Sequence, residues 1–128
     1  MTDRERLYGS WNVAVNTPDQ GTFPALLTFS ADGSVIGDES PLPFETSGHG
    51  NWVMRDDGEV ALTFVALLGS QEGSNAGRIK FVGTLRFDGE TAGWDGRFKV
   101  EITDLNGQVT FTDRGTHTLT RIAVESLD

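Results

Sequence analysis

Apolar and polar residues alternate with a period of two along almost the whole chain, and no window carries the stripe of an amphipathic helix. Between Ile79 and Phe87, apolar side chains occupy one phase, and lysine, threonine and arginine occupy the other. The segment from Phe98 to Ile102 repeats this arrangement. Strands of this kind are typical of an antiparallel sheet with one face in water. The pattern therefore predicts an all-β protein.

Turn signals divide this pattern into eight strands. Three longer polar stretches interrupt it, at residues 16–21, 38–48 and 69–77. Four dipeptides typical of tight hairpins supply the remaining connections, because such turns need a positive φ. They are Asp32-Gly33, Asp57-Gly58, Asp88-Gly89 and Asn106-Gly107. We expect residues 1–128 to form one domain, an eight-stranded antiparallel up-and-down β-barrel without free sheet edges. A two-sheet sandwich is the structural alternative.

The order of the connections predicts two different ends for such a barrel. The second, fourth and sixth links lie at one end, and all three are tight Asp-Gly turns. We call this end the floor and the opposite end, with the longer links, the mouth. Both chain termini fall at the floor, as do four residues of the first, seventh and eighth strands. These predicted floor residues are Gly9, Trp11, Trp94 and Arg121. The sequence predicts a plugged floor beneath an open mouth.

The inward phase of the strands is mostly apolar and aromatic. An apolar cavity with a few polar groups is typical of a small-molecule site, although the same residues would also fill a solid core. Gly83 and Gly96 fall on inward phases and favour a cavity, because glycine leaves volume unfilled. The candidate ligand-binding residues are Phe23, Leu27, Trp52, Phe64, Phe81, Phe98, Val100 and Phe111.

Two polar residues share the apolar phase of the last strand. Asp113 and His117 are four residues apart, about 13 Å along an extended strand, so both could touch one ligand. A buried carboxyl has a raised pKa and can serve as an acid or a base. A bulge at Gly115 would instead turn either side chain into water. We take Asp113 and His117 as candidate catalytic residues.

His49 is the third candidate catalytic residue, where the fourth strand leaves the longest connection near the mouth. If Trp52 and Met54 point inward, His49 points outward; the reverse phase is the alternative. A hydrogen-bonded histidine at a loop edge is its simpler interpretation. In the same connection, Glu39 and Glu45 are expected to be solvated charges at the rim.

Composition excludes several functions. A net charge of −9 and a pI near 4.5 oppose binding to nucleic acid or to anionic membrane surfaces. Without cysteine, and with two distant histidines, the chain has no metal-ligand spacing. It also has no phosphate-binding glycine loop and no nucleophile elbow, so no cofactor is expected. It shows no signal-peptide or membrane-span pattern, so a cytoplasmic location is expected.

Gly9-Ser10-Trp11, together with Arg121, resembles the calycin signature of lipocalins and fatty-acid-binding proteins. In those families a basic residue of the last strand packs over the tryptophan of the first. The resemblance implies a barrel that carries a small apolar molecule. Arg86, Arg97 and Arg114 fall on the polar phase, so the carboxylate clamp of fatty-acid-binding proteins has no counterpart and a neutral ligand is expected. In size the chain is similar to small bacterial lipocalin-like proteins and to barrel enzymes of the allene oxide cyclase type.

Three functions follow from this sequence. The leading hypothesis is a binding protein for a small, mostly apolar and neutral molecule. The alternative is a barrel cyclase or isomerase acting on a flexible polyketide- or polyene-like substrate, with Asp113, His117 or His49 transferring protons. The third is a filled-core structural module. The fifth strand is apolar on both faces, which is consistent with a homodimer formed through its outer positions Ala61, Val65 and Leu67.

Overall fold

The computed structural model of the protein describes residues 2–39 and 44–128. Its eight strands pair in chain order, each antiparallel to the next, and β1 pairs with β8 to close the barrel. The predicted all-β, up-and-down barrel is confirmed. Residues 40–43 of the predicted connection 38–48 lie outside the described residues. The strands are β1 (Gly9–Thr17), β2 (Gly21–Phe29), β3 (Ser34–Glu39), β4 (Gly48–Met54), β5 (Val60–Gly69), β6 (Asn75–Asp88), β7 (Gly93–Thr103) and β8 (Val109–Arg121).

The tight turns lie where the sequence places them, with one difference in detail. Gly33 and Gly58 have φ of 94° and 88°, in the left-handed region that a side chain disfavours. Between β6 and β7, however, the positive φ belongs to Ala92, at 59°, and not to Gly89. Asp88 pairs with Gly93, so this loop has four residues. Longer hairpin loops are commonly built on a type I turn, in which the left-handed residue comes last.

A short 3₁₀ turn, Glu5–Leu7, precedes β1 and was not predicted. Its Leu7 is fully buried at the floor of the barrel. The guanidinium carbon of Arg6 lies 5.0 Å from the centre of the Phe87 ring, and that of Arg4 lies 4.2 Å from the Trp52 ring. A three-residue turn carries no periodic pattern that sequence reasoning could detect. It adds a plug to the floor.

The core fills the lower and middle parts of the barrel. Trp11, Trp52 and Trp94 are buried near the floor, and smaller side chains of β1, β2 and β5 fill the space between them. Burial of each large apolar side chain stabilises the fold by about 1.5–3 kcal/mol. Above them, Phe64, Phe81 and Phe98 stack with ring centres 4.7 and 4.9 Å apart. We call these three rings the phenylalanine layer.

The barrel wall is uneven in height at the mouth. β6 has 14 residues and β8 has 13, whereas β3 has 6. The pairing of β1 with β8 ends at Asn16 and Thr116, so the part of β8 from Val109 to Gly115 pairs with β7 but not with β1. The sheet formed by β6, β7 and β8 therefore rises above the phenylalanine layer. The inner face of this upper part does not pack against the core.

Candidate functional site

A cavity of about 270 Å³ lies at the mouth of the barrel. Its wall is mostly apolar, with an aromatic contribution from β2, β6, β7 and β8. Phe111 is 39% exposed and Phe23, Val100 and Ile102 are half-buried, so the cavity is open to solvent. The lining residues are Thr17, Gln20, Phe23, Glu39, Ile79, Phe81, Phe98, Val100, Ile102, Phe111 and Asp113.

The phenylalanine layer separates this cavity from the core. Two glycines leave the space that the Phe64 ring of the layer occupies. A Cβ atom at Gly37 would lie 2.8 Å from the Phe64 ring, and one at Gly48 would lie closer still. Side chains at these positions would displace the ring. Because Phe81 and Phe98 also line the cavity, the layer forms its bottom.

The structure divides the eight candidate ligand-binding residues into two groups. Phe23, Phe81, Phe98, Val100 and Phe111 line the mouth cavity. Leu27, Phe64 and Trp52 are buried below it. The indole Nε1 of Trp52 donates a hydrogen bond to the Ser30 carbonyl at the floor, 3.1 Å away. The alternation of residues along a strand predicts which side chains point into the barrel. It does not predict how close to the mouth or to the floor each of them lies.

Asp113 and His117 both point into the barrel, but at different depths. Asp113 is on the cavity wall, where its Oδ2 lies 3.5 Å from the amide nitrogen of Gln20. The Phe98 ring lies across Gly115, since a Cβ at Gly115 would be 2.9 Å from it. That ring occupies the inner face between the two candidates, so His117 lies beneath the layer.

His117 is 1% exposed and bridges an interruption in the sheet. The ladder between β6 and β7 breaks between the pair Gly83–Phe98 and the pair Arg86–Asp95. His117 Nε2 lies 2.9 Å from the Thr84 carbonyl in this gap. Burial lowers the pKa of the imidazole, so the neutral ring donates from Nε2, while Nδ1 has no hydrogen-bond partner among the described residues.

His49 lies on the outer face of the barrel. Trp52 is buried inside, and the alternation along β4 therefore exposes His49. Its Cα neighbours across the sheet are Ile36 and Val65. The structure thus brings only Asp113 of the three candidate catalytic residues to the cavity wall.

Glu39, expected from the sequence to be a solvated charge at the rim, lies on the cavity wall and is half-buried. It follows Val35 and Gly37 on the inward phase of β3, and burial together with nearby Asp38 raises its pKa. Val35 and Ile36 are both apolar, and Asp38 and Glu39 are both acidic, so the sequence of β3 carries no alternation that could have identified it. Glu45 is also partly buried, and burial with the charges of Glu39 and Asp38 raises its pKa to about 7.

The remaining chemistry of the site is limited. Among residues 2–39 and 44–128, no three His, Asp or Glu side chains come together in a way that could hold a metal ion. Arg86, Arg97 and Arg114 are exposed on the outside of the barrel. Within the described ranges, no helix is both long and apolar enough to cross a membrane.

Comparisons with known proteins add little to this geometry. Neither a protein family nor a curated protein matches the chain. A solved structure of a redesigned β-barrel is similar at 17% sequence identity and a TM-score of 0.38, covering 94% of this chain and 96% of that one. The class that the structure defines is a closed, eight-stranded antiparallel β-barrel with a cavity at one end.

Proposed function

We propose that the protein binds a small, mostly apolar molecule in the mouth cavity. The observation that carries this proposal is the inner face of β6, β7 and β8 above the phenylalanine layer. There Val100, Ile102 and Phe111 are partly exposed, although they point inward. Burial of apolar surface is favourable by about 25 cal/mol for each Å² removed from water, and these side chains do not gain this free energy while they are exposed. A ligand that covers them recovers this free energy.

The cavity volume sets the size of the ligand. An apolar cavity of about 150 Å³ accepts one benzene molecule. The mouth cavity, at about 270 Å³, suits a molecule of roughly two fused rings. Its polar groups are few, as is usual for pockets that recognise small molecules by shape and burial. Since Arg86, Arg97 and Arg114 lie outside, fatty acids and other anions are disfavoured.

Calorimetric titration with 2-naphthalenemethanol, a neutral two-ring probe, tests the proposal. We expect a dissociation constant of about 0.1 mM or tighter, given typical binding free energies per atom. The Val100→Trp variant should reduce the affinity at least tenfold, because the larger side chain fills the cavity. No binding to the native protein would contradict the proposal.

Lys99→Trp is the matched control for this variant. Lys99 precedes Val100 on β7 and is exposed on the outer face, so the same bulk is added without entering the cavity. We expect it to bind the probe as the native protein does. An equal loss of affinity in both variants would also contradict the assignment of the site.

We also propose kinship with the calycins, on the contact that closes the floor. The Arg121 guanidinium lies 4.2 Å from the centre of the Trp11 ring, as the resemblance implies. Its Nη1 and Nη2 donate to the carbonyls of Tyr8 and Arg6 at 2.8 and 2.7 Å. This contact seals the floor, so the mouth is the end at which a ligand would enter.

A further inference from the structure

The ionisable side chains of the mouth cavity all carry the same sign of charge. Among the described residues that line it, Glu39 and Asp113 are the ionisable groups, and Thr17 and Gln20 supply the other polar side chains. A carboxylate in apolar surroundings costs free energy unless a positive charge or hydrogen-bond donors compensate it. The Asp113 carboxylate accepts one short hydrogen bond, from the Arg114 backbone N–H to Oδ1 at 2.8 Å, and a long one of 3.5 Å from the Gln20 side-chain amide to Oδ2. Within the described residues it forms no salt bridge. The cavity therefore favours an occupant that brings positive charge.

The aromatic part of the wall suits the same occupant. Phe23, Phe81, Phe98 and Phe111 line the cavity, and the faces of aromatic rings attract ammonium groups. At the floor, the protein places its own arginines over aromatic rings, with Arg4 over Trp52 and Arg121 over Trp11. In the described part of the chain, no arginine or lysine lies over the phenylalanines of the mouth.

The partial burial of Glu39 also favours a positively charged occupant. Its carboxyl is half-buried on the cavity wall, with Asp38 beside it on β3, Glu45 nearby before β4, and Asp113 on the same cavity. All of these neighbours are acidic, and among the described residues no basic group acts on its pKa. A cation in the cavity would supply the missing charge.

We propose that the cavity selects an apolar molecule with one protonated amine, an arylalkylamine in chemical class. The ring system would lie among the phenylalanines, and the carboxylates of Glu39 and Asp113 would balance the ammonium charge. This inference rests on the proposed binding function, and it replaces the neutral ligand expected from sequence with a cationic one.

Three probes with one ring system and different charges test it by calorimetry at pH 7.5: 2-naphthylmethylamine, 2-naphthalenemethanol and 2-naphthoate. We expect the amine to bind about tenfold more tightly than the alcohol, and the naphthoate to bind more weakly than either. If the alcohol binds as tightly as the amine, the charge inference is overturned while the binding function stands. If none of the three binds, both are overturned.

Variants of Glu39 and Asp113 test whether their carboxyl groups cause the preference for the amine over the alcohol. In the double variant Glu39→Gln, Asp113→Asn, the ratio of amine to alcohol affinity should fall to about one, with the affinity for the alcohol changed less than about twofold. Glu72→Gln removes an exposed carboxylate from the turn between β5 and β6, outside the cavity lining, and should keep the native ratio. A native ratio in the double variant overturns the inference. The single variants and the native probe series decide the outcome if the double variant does not fold.

Discussion

The contact between Arg121 and Trp11 depends on a glycine. Gly9 has a φ of 110°, and a Cβ atom there would lie 2.9 Å from Nη1 of Arg121. Trp11 in turn donates from Nε1 to the Leu7 carbonyl at 2.9 Å. A planar guanidinium can stack on the indole and donate to two carbonyls at once, which an ammonium group cannot. The Gly-x-Trp pattern therefore has a steric reason as well as an aromatic one.

Replacement of Arg121 should weaken the floor without affecting the cavity. We expect Arg121→Lys to lower the free energy of unfolding by about 1–2 kcal/mol, through the lost stacking and one lost hydrogen bond. Urea denaturation measures this loss. The affinity for 2-naphthalenemethanol should be unchanged within about twofold. A variant as stable as the native protein, or one that no longer binds the probe, would show that the floor has a different role.

His117, a candidate catalytic residue from the sequence, has a structural role in the barrel wall. Its donor satisfies the Thr84 carbonyl, and Gly96 makes this approach feasible, because a Cβ at Gly96 would collide with that carbonyl oxygen. The alternation of β8 predicted the inward direction of His117. It could not show the interrupted ladder, which depends on the register of β6 against β7.

The stability of the protein should depend on pH through His117. The unfolded chain protonates this residue near its ordinary pKa of 6.5, whereas burial lowers the pKa in the folded state, and the hydrogen bond to the Thr84 carbonyl and the charge of Asp95 oppose the shift only in part. The contribution of His117 is therefore complete above pH 6.5 and is lost as the pH falls below it. In urea denaturation, His117→Leu should cost about 1–3 kcal/mol at pH 7.5, by leaving the Thr84 carbonyl without a donor, and less at pH 5.

The difference in unfolding free energy between the native protein and His117→Leu separates the contribution of His117 from that of acidic groups, whose effect on stability changes with pH in the opposite direction. Burial raises the pKa of Glu45 to about 7, so its carboxyl favours the folded state at low pH and loses that contribution as the pH rises through 7. Thr118→Val, an exposed neighbour on β8, is the control. A cost of His117→Leu that is equal at both pH values would contradict the assignment.

At the scale of elements, the strand lengths explain why one barrel contains both a core and a cavity. The inner faces of β6, β7 and β8 continue above the phenylalanine layer, where β3 contributes only its last residue, Glu39. Phe64, in the phenylalanine layer, is 6% exposed, whereas Phe111, above the layer, is 39% exposed. The two residues were equal members of the predicted inward set, since sequence spacing does not show how far each strand extends beyond its neighbours.

The two phenylalanines should respond differently to the same substitution. Phe64→Ala should cost about 3–5 kcal/mol of unfolding free energy, as is usual for a buried phenylalanine. Phe111→Ala should cost less than about 1 kcal/mol but reduce the affinity for 2-naphthalenemethanol about fivefold, because it removes part of the cavity wall. Denaturation and calorimetry on both variants provide the comparison. A large loss of stability in Phe111→Ala would indicate that the mouth is core and not a binding surface.

At the scale of the whole molecule, the period of two and the Asp-Gly turns were sufficient to predict a closed barrel with distinct ends. Trp11 at the start of β1 and Arg121 at the end of β8 lie at the same end because the number of strands is even, and Trp94 lies there because it follows the turn between β6 and β7. The cavity walls were harder to predict, since Glu39, Thr17 and Gln20 acquire their roles from neighbours distant in sequence. Leu67 is 54% exposed on the outer face of β5, and a homodimer through that face stays a prediction.

Binding of a small apolar molecule at the mouth can be followed residue by residue. Backbone amide chemical shifts during titration with 2-naphthylmethylamine report where the probe binds as well as whether it binds. We expect the largest changes at Phe23, Val100, Ile102 and Phe111, and little change at Trp11 and Leu7 on the floor. Changes confined to the outer face or to the floor, or none at all with the probe in excess, would contradict binding at the mouth.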